Sequence, residues 1–111
     1  MSRLLESEGI LLELAEEAGT VGRALAKMHL EAREQSNLDA RGYALVRFAA
    51  QVALAAPPMS YLATLAISEE AGVTLADLRG ALVAITPLVG SARVLAALAS
   101  TDDAWRMGHE R

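Results

Sequence analysis

The sequence predicts an all-α protein, and three observations carry that prediction. Alanine and leucine recur at helical spacing, β-branched runs that favour strands are absent, and glycine, proline and capping residues punctuate the chain at helix-length intervals. Its 111 residues are expected to form one domain: amphipathic covering helices over 1–36, a helical core over 37–100 and a polar tail over 101–111.

About six helices are expected. The first runs from about Arg3 to Glu17, with Leu4, Leu5, Leu11, Leu12 and Ala15 on one stripe and Glu6, Glu13, Glu16 and Glu17 largely off it. Ala18-Gly19-Thr20 ends it. A second, about Val21 to Gln35, repeats the pattern with Val21, Ala24, Leu25, Met28 and Ala32. Ser36-Asn37 closes that helix, and Asp39 caps a third over Ala40 to Ala55. This third helix is apolar almost all round, which predicts burial on several sides.

Pro57-Pro58 favours the first turn of a fourth helix that runs to Ala71. Gly72 supplies the left-handed position that ends it, and Thr74 with Asp77 reads as a capping box for the fifth. The fifth runs from Leu75 to about Ile85, where Thr86-Pro87 is expected to break it. Ser91 caps a sixth, Ala92 to Ser100, and the tail beyond frays, with Trp105 available to dock on a neighbour.

Charge and composition then exclude several classes of function. Of 24 Asp, Glu, Lys and Arg residues, 13 lie in residues 1–41 and only 6 in 42–101. The first part therefore reads as a cover and the second as a core. A net charge of −4 and a pI near 5.1 argue against nucleic-acid binding, which needs a basic face for the phosphates. The absence of cysteine removes disulfides, thiolate zinc sites and thiol nucleophiles.

Phe48 to Ser68 carries no charge over 21 residues, but the prolines in its middle argue for two helices rather than a membrane span. The N-terminus lacks a signal-peptide pattern, and a cytoplasmic location is expected. Hydrophobic residues make up 53% of the chain and mean hydropathy is +0.29, so homo-oligomerisation is expected to cover the apolar excess.

Three stretches in order, Leu38-Asp39-Ala40-Arg41, Glu70 to Leu78, and Thr86-Pro87-Leu88-Val89-Gly90, resemble the carboxymuconolactone decarboxylase and alkylhydroperoxidase D (AhpD-like) superfamily. The likeness spans residues 37–98. It implies a helical protomer in a homotrimer, homohexamer or similar ring, with a site in a cleft near a subunit interface. Peroxidatic members carry Glu-x-x-Cys-x-x-Cys-x-x-x-His, and those positions hold Leu54, Pro57, Ser60 and Thr64 here. The Glu-x-x-His pair, second Glu and Tyr of decarboxylase-like members fall on Tyr61, Thr64, Gly80 and Leu88, and the Pro after the late glycine is Ala92. Both catalytic sets are missing, so the resemblance does not carry over the family's activity.

What remains is a binding chemistry. Ser60, Tyr61 and Thr64 place hydroxyls near one another on the fourth helix, where they suit hydrogen bonds to a small ligand or, more simply, to backbone carbonyls and solvent. Arg47, with Gln51 four residues later, and Arg93 suit a ligand carboxylate or an inter-subunit pair with Glu69, Glu70 or Asp77. His29 reads as a solvated surface residue. No metal-ligand spacing and no phosphate-cradling glycine loop is present, so no metal and no cofactor are expected.

The expected function is a carboxymuconolactone-decarboxylase-like protein without redox cysteines, which binds or transforms a small, partly apolar molecule that can bear a carboxylate. If it is an enzyme, a lyase or decarboxylase type is expected rather than a thiol peroxidase. The alternative is a catalytically inactive oligomeric scaffold, whose cleft would be filled by side chains.

Overall fold

The computed structural model describes residues 19–109, which are helical almost throughout and contain no strand. We label the five helices α1 (Gly19–Gln35), α2 (Ala40–Ala53), α3 (Pro58–Glu70), α4 (Leu75–Val89) and α5 (Ser91–His109). The expected helix over Arg3–Glu17 lies outside the described residues.

Helix α3 is the centre of the protein. Seven of its 13 residues are buried, from Tyr61 to Ser68, and it packs against α2 on one side and α5 on another. Its all-round burial follows from its sequence, which carries no charge before Glu69. Helix α2 buries the stripe Ala44, Phe48 and Val52 at four-residue spacing, with Tyr43 and Leu45 packed beside it, while Val46 and, just past its end, Leu54 face outward at 59% and 80% exposure. It packs against α3, α4 and α5, and Val46 and Ala50 mark the side that stays open. Leu78 and Leu82 of α4 and Ala97, Thr101 and Ala104 of α5 close the core.

The helix ends obey local chemistry. Asp39 Oδ1 accepts the Gly42 N–H at 2.6 Å and starts α2. Thr74 Oγ1 accepts the Asp77 N–H at 3.1 Å while Asp77 Oδ2 accepts the Thr74 N–H at 2.9 Å, a reciprocal cap that starts α4. The C-termini of α2 and α3 close by one pattern. At α3, the Val73 N–H reaches Ser68 O and the Gly72 N–H reaches Glu69 O; at α2, the Ala56 N–H reaches Gln51 O and the Ala55 N–H reaches Val52 O. The left-handed residue is Gly72 in one (φ +77°) and Ala55 in the other (φ +54°).

Two expected breaks are absent. Helix α4 continues through Pro87 to Val89, because Pro87 and the residue four before it, Val83, both face solvent. The Val83 carbonyl, which loses its amide partner, lies on a hydratable side, and Thr86 Oγ1 anchors the turn by donating to Leu82 O at 2.7 Å. Helix α5 starts at Ser91 rather than using it as a cap, and it runs through the expected tail to His109. Thr101 and Ala104 extend the buried stripe of Ala97 by one more turn, and Trp105 packs on the protein's own core.

Helix α1 differs from the rest. Only Gly22 is buried, and Val21, Leu25 and Met28 of its apolar stripe are 66%, 48% and 62% exposed. Among the described residues no single helix is long and apolar enough to cross a membrane; α3 and α4 pass that test only together, across a 118° bend.

Candidate functional site

The predicted site residues separate into two places. The first is a cavity of about 240 Å³ between the C-terminal end of α2, the start of α3 and the first turns of α5. Val52, Tyr61 and Ala97 are its buried members, and Ala55, Ala92, Ala96 and Arg93 lie at its exposed side. Of the six residues singled out in the sequence, Tyr61 and Arg93 line it.

Tyr61 is held by the core. Its ring meets Phe48 edge to face, with centroids 5.9 Å apart and planes at 64°. Burial pushes its hydroxyl above the usual phenol value, so it stays protonated and able to donate near neutral pH. Among the described residues no hydrogen bond to this hydroxyl is present. Arg93 donates through Nη1 to Ala53 O at 2.6 Å, which fastens the start of α5 to the end of α2 and leaves most of the guanidinium N–H groups uncommitted. The first-turn amides of α5 add the positive end of a helix to the same region.

The second place lies outside the cavity. Arg47 donates through Nε to Thr64 Oγ1 at 2.6 Å and through Nη1 to His29 Nδ1 at 3.2 Å. Thr64 is fully buried, and Arg47 has no carboxylate within ion-pair distance among the described residues. Gln51 Nε2 donates to the Ser60 carbonyl at 3.0 Å, so Ser60 contributes its backbone rather than its hydroxyl. Among the described residues, Gln51 Oε1 is buried without a hydrogen-bond partner. Tyr61, Thr64 and Ser60 therefore do not converge on one ligand: Tyr61 serves the cavity, Thr64 holds Arg47, and Ser60 holds Gln51.

The acids expected as alternative partners are placed elsewhere. Asp77 pairs with Arg41 at 3.1 Å, and Glu70 with Arg33 at 3.8 Å. The Arg41 contact, with the amide and hydroxyl of Thr74, lowers the Asp77 carboxyl to about 2.

Sequence reasoning missed the alanine walls and the contact between His29 and Arg47. Ala55, Ala92 and Ala96 carry no chemistry that marks a site, although small side chains on facing helices are what leaves a void between them. His29 lies on the exposed surface, as the sequence reads it, but its contact with Arg47 is not foreseen; partial desolvation first and the Arg47 charge second lower its pKa. Its nearness to Arg47 in sequence terms, 18 residues and one turn away, offers no local signal. Among the described residues no cluster of three His, Asp or Glu side chains is placed to hold a metal ion. No family model, curated protein or solved structure matches this chain significantly.

Proposed function

We propose that the protein binds a small, partly apolar carboxylate in the alanine-walled cavity, as a carboxymuconolactone-decarboxylase-like protein without redox chemistry. The observation that carries the reading is that Arg93 and Tyr61 both line a cavity whose other walls are alanine and valine. An acid fits such a lining: its carboxylate meets the uncommitted guanidinium N–H groups and the first turn of α5, and its apolar body lies on alanine and valine. At about 240 Å³ the cavity falls below the roughly 300–1,000 Å³ of drug-sized sites, which restricts the ligand to a small one.

The open cavity favours this reading over the inactive scaffold, which requires a filled cleft. Self-association belongs to the same proposal, as a homotrimer or homohexamer. Leu54, Val83, Leu88 and Leu95 are 65% to 88% exposed, an apolar surface that a second copy would cover.

Native mass spectrometry of the purified protein tests both parts, reading the oligomer and any retained mass, followed by titration with benzoate as a probe acid. Binding that weakens about tenfold in Arg93→Gln and several-fold in Tyr61→Phe supports the site. The absence of both a retained mass and benzoate binding overturns the site, and a monomer overturns the assembly.

A further inference from the structure

Helix α1 is attached to the body in an unusual way. Among the described residues it buries Gly22 and little else, and the contacts that fix it to the body are polar. Tyr43 Oη on α2 donates to the His29 carbonyl at 3.2 Å, Arg47 Nη1 donates to His29 Nδ1 at 3.2 Å, and Arg33 meets Glu70 of α3 at 3.8 Å. Two of these three meet at His29, one at its backbone carbonyl and one at its ring nitrogen, and only the ring contact depends on its protonation.

A guanidinium N–H can only donate, so His29 Nδ1 must be the acceptor and its proton must sit on Nε2. The contact therefore exists only with a neutral imidazole. From α2, His29 faces Arg47 and Tyr43; on α1 its charged neighbours are Lys27, Glu31 and Arg33, and Lys27 is paired to Glu31 at 3.9 Å. Among these, nothing on α2 offers a negative charge that would welcome a histidine cation.

We propose that protonation of His29 releases α1 from the body, so that the His29–Arg47 contact is a pH-sensitive clasp. Adding the proton removes the acceptor and places a second cation against Arg47. The sign follows from the depressed His29 pKa: the clasp is complete above the ordinary histidine value of 6.5 and is lost as pH falls below it toward the lowered folded value. Release frees one edge of the Arg47 guanidinium, while its Nε stays on Thr64. This proposal does not depend on ligand binding in the cavity.

Amide hydrogen exchange of the whole chain, corrected for intrinsic pH dependence and read at about pH 8 and about pH 5.5, on either side of that value, tests it. The expected result is a several-fold loss of protection across residues 19–33 at the lower pH, with α3 unchanged as the internal reference. His29→Gln keeps an uncharged acceptor and should abolish this pH dependence. Three outcomes overturn the clasp: α1 protection independent of pH in the parent protein, an undiminished pH response in His29→Gln, or equal loosening of α3 and α1.

Discussion

Helices α2 and α3 end with the same pair of backbone hydrogen bonds, but one places an alanine and the other a glycine at the left-handed residue. Gly72 adopts φ +77° without a Cβ to collide with the following carbonyl, whereas Ala55 adopts φ +54° against a cost of about 1–2 kcal/mol. The residue that follows also differs. Val73 is 2% exposed and anchors the α3 end in the core, while Ala56 is only half-buried. The α3 end is thus locally relaxed and tightly packed, and the α2 end is strained and loosely packed. Only the α2 end borders the cavity.

Four changes break or sharpen that contrast. Val73→Ala gives the α3 end the side chain of its counterpart, and the lost burial should cost about 2 kcal/mol in chemical denaturation. Gly72→Ala meets nothing within 4 Å of the new methyl, so its cost is purely conformational and should be about 1.5 kcal/mol. Ala55→Gly relieves the left-handed alanine but adds freedom to the unfolded chain, so stability should rise by only about 0.5 kcal/mol. A loss of stability in that variant would mean that the methyl contributes packing worth more than its backbone strain.

The smallest effect concerns acid. Asp77, in the cap that follows the α3 end, has its carboxyl lowered from 3.8 to about 2, so its contribution is present above about 4 and lost as pH falls toward 2. The α2 end is followed by Pro57-Pro58, which carries no titratable group. Acid titration followed by amide NMR should therefore loosen the start of α4 before the start of α3, and Asp77→Asn should remove the difference.

The legibility of these features in the sequence follows their range. Gly72, Thr74 and Asp77 act within a few residues of each other, and the turn they build stands where the sequence places it. Helix α3, which carries no charge before Glu69, announces its burial by composition alone. Ala55 does not announce its φ, because alanine is a strong helix former and the reading extends α2 to include it. Pro87 is tolerated since it falls on the exposed face near the helix end, a matter of orientation that dipeptide rules omit. The helical tail is missed because Thr101, Ala104 and Trp105 make a sparse stripe among charges.

Site prediction fails for a longer-range version of the same reason. Arg93 reaches across 40 residues to Ala53, and Arg47 across 17 to Thr64. Nothing local to either arginine says that its partner is a neutral oxygen rather than a carboxylate. Helical spacing groups Tyr61, Thr64 and Ser60, but on a helix buried on several sides adjacent hydroxyls serve different neighbours.

The alanine walls of the cavity have one further consequence. An alanine side chain has no rotamers, so a guest entering between Ala55, Ala92 and Ala96 freezes no torsions in its host there. Most of the ordering cost of binding then falls on the guest itself, and a rigid acid should outcompete a flexible one of equal size. Selectivity in such a cleft is a matter of stiffness as much as of shape.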